Sequence, residues 1–370
     1  MIKKSARISL TATQALPAGS SHFIESNVHR VELADSSMSV ILESVNCGVC
    51  GSDRSTPLFE ARDYLYGNEG QWPVVRCLNC QVVFMNPRIP PTEIGWFYPK
   101  TYYTNQIATQ RPKTWKQGVR DVALRLYFGY PPPNPPGIIA EIGARILGPV
   151  ISRLASFRRH IRYVPLGKVL DAGCGNGVNL STYQRLGWKT LGNEVGEDSA
   201  RLARAAGHEI FTGELRDAAY PTASFDAITL WDALEHIHNP ADTLLELFRI
   251  CRPGGLLYVY VPNYGSVYAR IFRDKWFMFT APLHYYHYTS ETLSGLLCRA
   301  GFESVEIQYP LGAVGLQPTL SAATRESAWL HALVAQGPGA ALLRVVDRFL
   351  PRGHLLAIAQ RPKEGRSGAS

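Results

Sequence analysis

Between Gly167 and Tyr309 the apolar positions come in two alternating kinds of run. Short, nearly unbroken runs have the length and β-branched content of buried strands: KVLDA (168–172), WKTLGNE (188–194), HEIFTG (208–213), FDAITLWD (225–232), LLYVYVPN (256–263) and FESVEIQY (302–309). Between them stand runs whose apolar residues recur at helical spacing: VNLSTYQRLG (178–187), EDSARLARAAG (197–207), NPADTLLELFRICRPGG (239–255) and SETLSGLLCRAG (290–301). A last strand, LLAIAQRP (355–362), follows a less regular stretch. Such alternation predicts an α/β fold, a doubly wound, mostly parallel seven-stranded sheet with helices on both faces. In that architecture ligands bind beyond the carboxyl ends of the strands.

The first half of the chain lacks this rhythm. Residues 1–38 are rich in Ser and Thr without a period and read as a loosely ordered lead-in. From Ser39 short apolar runs, VILESV (40–45) and VVRC (74–77), deliver Cys47, Cys50, Cys77 and Cys80, with a polar loop between the pairs. Two C-x-x-C turns can supply the four thiolates of a closed tetrahedral site, so residues 39–90 read as a small zinc-ribbon-like domain with a structural zinc. Residues 91–160 form a connector. The Pro- and aromatic-rich NPRIPPTEIGWFYPKTYY leads into it, expected to pack with a short helix, and it passes basic residues Arg111, Lys113, Lys116, Arg120 and Arg125. It continues through the stiff PPPNPP to a basic amphipathic helix marked by Ile138, Ile139, Ile142, Ile146, Val150 and Leu154. That helix suits either the flank of the main domain or an anionic membrane surface. The main domain is placed at 161–363, with a helical insertion at 311–352 before the last strand and a disordered tail at 364–370.

Seven cysteines, four in the paired motifs, point to metal ligation in a reducing compartment rather than to disulfides. Cys174, Cys251 and Cys298 read as core fillers. The net charge of +8 admits nucleic acid, membrane or an anionic acceptor. No run approaches the roughly 18 apolar residues of a membrane span, and the N-terminus lacks a signal-peptide core, so the expected location is cytoplasmic.

The densest chemistry lies in Asp171–Gly177, where Gly173, Gly175 and Gly177 let the backbone turn sharply into a helix N-terminus. A dinucleotide fingerprint would require glycine where Val178 stands. Glu194, at the end of the second strand, is placed where a carboxylate can accept bonds from both hydroxyls of a ribose. Glu214 and Leu215 follow the third strand, where an adenine could be flanked. Trp231, Asp232, Glu235, His236 and His238 close the fourth.

The D-x-G-x-G-x-G turn, LWDALEHIHNP and HYYHYTSETLSGLLCRAGF together resemble class I S-adenosylmethionine-dependent methyltransferases of the quinone-biosynthesis and sugar branch, with the cysteine pairs leading into NPR and FYP as in versions carrying a zinc ribbon. The resemblance implies Asp171, Gly173, Gly175 and Gly177 at the methionine end of the cofactor, Glu194 at the ribose, and Glu214 or Leu215 near the adenine; Trp231, at the end of the fourth strand, is a further candidate cofactor-binding residue. It implies methyl transfer to a small-molecule, lipid-linked or glycan acceptor, on a hydroxyl oxygen. A sugar C-methyltransferase, an RNA methyltransferase gripping phosphates through its ribbon, and a binding module that has lost activity stand as alternatives. The RNA reading is disfavoured because LWDALEH replaces the N-P-P-[FYW] of amino-methylating nucleic-acid enzymes.

Methyl transfer from a sulfonium requires alignment in a dry site, plus a base if a hydroxyl attacks. His284 is the first candidate, beside an aromatic segment (IFRDKWFMFTAPL) placed to form a substrate lid; His236 follows, then His287. An ordinary imidazole base predicts a rate that rises through one ionisation near neutrality.

Overall fold

The computed structural model describes residues 28–32, 39–68, 70–99, 124, 127–131, 159–310, 315–325, 327–347, 350 and 353–363. The basic residues Arg111 to Arg125, the amphipathic helix expected over 138–154 and the tail 364–370 lie outside the described residues.

The predicted sheet is present. Strands β6 (Lys168–Ala172), β7 (Lys189–Glu194), β8 (Ile210–Thr212), β9 (Phe225–Trp231), β10 (Cys251–Pro262), β12 (Glu303–Gln308) and β13 (His354–Gln360) form seven strands in the order β12-β13-β10-β9-β6-β7-β8. Strands β10, β9, β6, β7 and β8 run parallel, and β13 enters antiparallel between β10 and β12. The central strands are buried nearly throughout, which is why their sequences read as apolar runs rather than alternations. One extension differs from the expectation: β10 begins at Cys251, taking RPGG out of the preceding helix, with Gly254 at φ +80° and a register shift between Cys251 and Leu256.

Helices α1 (Val178–Arg185), α2 (Glu197–Ala205), α3 (Pro240–Ile250), α4 (Val267–Phe272) and α5 (Ser290–Arg299) connect the strands. Pro240 opens α3, where its missing N–H costs nothing, and Thr289 caps α5 by accepting from Thr292 while the Thr292 hydroxyl reaches back. The insertion holds α6 (Leu316–Ala323), α7 (Ala328–Ala335) and α8 (Gly337–Asp347). No helix among the described residues is long and apolar enough to cross a membrane.

The N-terminal part departs from its expectation in three ways. Within the lead-in, Val28–Glu32 (β1) pairs antiparallel with β2 (Ser39–Glu43), because VHRVE offers an edge the next strand can satisfy. The loop between the cysteine pairs contains β3 (Ser55–Ala61), which pairs with β4 (Trp72–Cys77), itself paired with β5 (Val83–Met85). Most consequentially, the fourth strand of this sheet, β11, is Tyr286–His287 from the main domain, set against Phe84 and Val83. The ribbon therefore has no core of its own: Cys47, Cys77 and Phe84 share one buried cluster with Leu230, Leu234, Tyr285 and Val259. Among the remaining cysteines, Cys174 and Cys251 are buried as expected, whereas Cys298 is exposed on the outer face of α5.

Candidate active site and four-cysteine centre

The carboxyl ends of β6, β7 and β8 form the first half of the site. Gly173, Gly175 and Gly177 have φ of +74°, +54° and +80°, a left-handed region that side chains rarely adopt. Space is limiting as well, since a Cβ on Gly173 would stand 2.7 Å from Ala233 and one on Gly177 would stand 2.7 Å from the His208 ring. Glu194 bridges the turn to the start of α2, Oε2 accepting from the Gly175 N–H and Oε1 from the Gly196 N–H, both at 2.8 Å. Burial raises its pKa against the pull of those bonds. Asp171 lies wholly beneath the turn, accepting from Thr229 at 2.6 Å and from Asn179 at 3.3 Å. Desolvation pushes it up to about 7, so it braces the turn rather than presenting a surface charge. Asn193 ties the next loop in: its carbonyl accepts from Gly173 and Cys174, and its amide donates to the Gly213 carbonyl at 2.8 Å. That loop brings buried Leu215 and exposed Glu214 to the same end of the sheet.

Trp231 is placed differently. It is 3% exposed, and its indole N–H donates to the Tyr183 hydroxyl at 2.8 Å, inside an aromatic cluster with Tyr258 and Tyr260. It forms part of the core behind β9 and presents no polar atom to a ligand.

The second half follows β9. Asp232, at φ +52°, pairs with Arg159 at 2.6 Å and lies 3.4 Å from His354 Nε2. The adjoining turn, Leu234–His236, carries Glu235, whose carboxylate is buried with neither oxygen partnered, and desolvation followed by the charge of Asp232 raises its pKa well above the usual range. His236 Nδ1 lies 2.9 Å from the Leu283 carbonyl and 3.1 Å from the Tyr98 hydroxyl; His284 Nδ1 lies 2.8 Å from the Met278 carbonyl. A carbonyl only accepts, so both Nδ1 atoms carry the proton and both Nε2 atoms keep a lone pair. The two rings meet edge to face, 4.5 Å apart. Glu235, His236 and His284 each offer a ligand atom within 4.8 Å of the others, an arrangement that can share a proton or hold a cation.

Burial sets the protonation of these imidazoles: His236 is lowered to about 4 and His284 well below its ordinary value. His287, on β11, packs against Phe279 with its Nε2 buried and unpartnered; it is lowered to about 3 and does not join the pair. His238 is fixed to the Ile89 carbonyl at 3.2 Å and lies on the Tyr285 ring. Tyr98 and Arg159 also stand at this end of the sheet although neither was expected there, while Glu235, expected only by its place after the fourth strand, is buried beside the two histidines. The FYP motif that carries Tyr98 was the available signal for that residue.

The four cysteines do converge. Sulfur separations are 3.6 Å for Cys47–Cys80 and 3.5 Å for Cys50–Cys77, close to the roughly 3.8 Å edge of a tetrahedron with zinc–sulfur bonds of about 2.3 Å. Each knuckle closes on the carbonyl of its first cysteine, with Gly51 and Gln81 at positive φ just beyond. A hydrogen bond from Cys47 lowers Cys80 to about 5 and raises Cys47 in turn, so the cluster readily supplies a thiolate.

Known proteins resemble the chain over this region. Residues 133–307 match a family model described as a methyltransferase domain. A probable S-adenosylmethionine-dependent methyltransferase of Mycolicibacterium smegmatis is 29% identical over 137 residues, covering 35% of this chain and 53% of that protein. A ubiquinone biosynthesis O-methyltransferase of Thiobacillus denitrificans is 30% identical over 99 residues, covering 25% and 42%. The crystal structure of an S-adenosylmethionine-dependent methyltransferase from Archaeoglobus fulgidus superposes with a TM-score of 0.39 at 17% identity, covering 60% of this chain and 94% of that one. The chain spans about half the length of the sequence relatives it matches. The seven-stranded sheet has the class I methyltransferase fold, and the family match overlaps it.

Proposed function

We propose that the protein transfers a methyl group from S-adenosylmethionine to a hydroxyl of a small-molecule, lipid-linked or glycan acceptor. The observation that carries this reading is the junction of the two halves: the left-handed glycine turn, bridged by Glu194, abuts the loop of Ala233, and the next residues bring His236 to His284. The glycine turn, braced from beneath by Asp171, would hold the methionine end of the cofactor, Glu194 the ribose, and Leu215 the adenine face. When bound, the cofactor supplies an electrophilic methyl on a positively charged sulfur.

The chain's own residues then have three tasks. The buried walls exclude water, so the acceptor oxygen meets the methyl without competing solvent. Leu283 and Met278 fix the tautomers, leaving a basic nitrogen on His236 and on His284 to take the acceptor's proton as the bond to carbon forms. Glu235, kept protonated by burial, and the Asp232–Arg159 pair orient polar groups around that oxygen. The four-cysteine centre is read as a structural zinc site.

Incubating the protein with methyl-labelled S-adenosylmethionine and cell fractions separated into lipid, glycan and nucleic acid tests the proposal. Label in the lipid or glycan fraction supports it; label confined to nucleic acid replaces it with the RNA reading.

A further inference from the structure

One buried cation holds the acceptor half of the site from the ribbon's side. Arg88, just beyond β5, is 6% exposed. Its Nε donates to Glu43 at 2.9 Å, while Nη1 donates to the His238 carbonyl at 2.8 Å and to the Tyr286 hydroxyl at 3.3 Å. Its guanidinium carbon stands 5.5 Å above the centre of the Tyr285 ring, and its backbone exchanges hydrogen bonds with Glu43 at 2.8 and 2.9 Å. A single side chain thus joins β2, the turn after β9 and the start of β11.

Those last two segments are the ones that carry His236 and His284. They are also bonded to each other, the Tyr285 N–H donating to the Glu235 carbonyl at 2.8 Å and His236 Nδ1 to Leu283 at 2.9 Å. Gly48, inside the first cysteine knuckle, lies so close to the Tyr286 hydroxyl and the His238 carbonyl that no Cβ fits. The Tyr286 hydroxyl donates to the His238 carbonyl at 3.1 Å. A buried ion pair adds little net stability, and its best-attested use is to specify one arrangement. The planar guanidinium reaches carboxylate, carbonyl and hydroxyl together, which a lysine ammonium on its flexible stem does not.

We infer that Arg88 is a positioning residue for the acceptor half of the site, locking the 234–238 turn to the 283–287 segment from the ribbon and so fixing His236 against His284. The inference rests on the methyltransferase reading only for what the site does; the contacts stand without it.

The test uses the full chain with isotope-labelled histidine. The wild-type protein should show a nuclear Overhauser contact between the His236 and His284 rings, whose centres are 4.5 Å apart. Arg88→Lys and Arg88→Ala should abolish that contact and speed amide exchange over 283–287 about tenfold or more. S-adenosylmethionine affinity should stay within about twofold, because no cofactor-side residue touches Arg88. Retained ring contact and unchanged exchange in Arg88→Lys overturn the inference, as does an equal loss of cofactor affinity, which marks general loosening. Should Arg88→Ala fail to fold, Gly48→Ala displaces Tyr286 without touching the cation; it must reproduce the selective loss, and its failure to do so overturns the inference too. A wild-type protein that shows the ring contact but binds no cofactor defeats the methyltransferase reading and leaves the positioning role standing.

Discussion

The two halves of the carboxyl-end crevice are built in opposite ways. The half proposed for the cofactor comes from one stretch, Asp171 to Leu215, and works through backbone: glycines at positive φ, N–H groups aimed at Glu194, a helix start. The half proposed for the acceptor is assembled from separated segments that bring Arg88, Tyr98, Arg159, His236, His284 and His354 together, and it works through side chains, two of which, His236 and His284, are kept neutral by burial. A backbone-made site tolerates no side chain where glycine stands but is insensitive to distant changes. A side-chain-made site depends on every element that brings a member to it, the ribbon included.

The largest effect that would break this contrast is at Gly175. Leucine there must adopt φ +54° within the turn, and cofactor binding should fall beyond detection in a calorimetric titration. Retained affinity would mean the turn is not the cofactor cradle. Next comes His284→Ala, expected to lower the chemical rate roughly a hundredfold at nearly unchanged cofactor affinity; His236→Ala tests which ring is the base, since the larger loss marks it. Rapid-quench measurement of one turnover separates the two, and wild-type rates in both variants would sink histidine base catalysis.

Chelation or Cys77→Ser is expected to release one metal ion per chain by elemental analysis. Because Cys77 shares its core with Leu234 and Tyr285, exchange over 283–287 should rise as well, while cofactor binding persists. A metal-free protein with an undisturbed acceptor half would separate the ribbon from the site.

The smallest effect is on pH. His236 and His238 are lowered to about 4 and His287 to about 3, each chiefly by burial. With folded values below the ordinary 6.5, their contribution to stability is fully present above that pH and is lost as pH falls toward 4. The thermal midpoint should therefore fall between pH 6.5 and 4, a trend a midpoint level down to pH 4 would refute. The same burial corrects the expectation of a rate rising near neutrality: turnover should be level through the neutral range and decline only as His236 takes up a proton near pH 4.

What was legible in the sequence follows the same division. The β6 strand, the glycine turn and Glu194 were readable because local spacing alone specifies them. The cysteine pairs were readable for the same reason. Strand β11 was not, because a two-residue strand exists only where β5 offers it an edge. Trp231 looked like a site residue at a strand end, yet the partner for its indole, Tyr183, lies on a helix 48 positions away in sequence. Glu235 carried no periodic signal, and its isolation is a property of tertiary packing.

If the glycine turn and Glu194 hold the cofactor together, calorimetric titration of S-adenosylmethionine into the wild-type protein and Glu194→Ala reads it directly. Saturable binding of one equivalent is expected, weakened in the variant by about 1–3 kcal/mol through lost charge-assisted bonds. No binding to the wild-type protein, or equal affinity in the two, would contradict it.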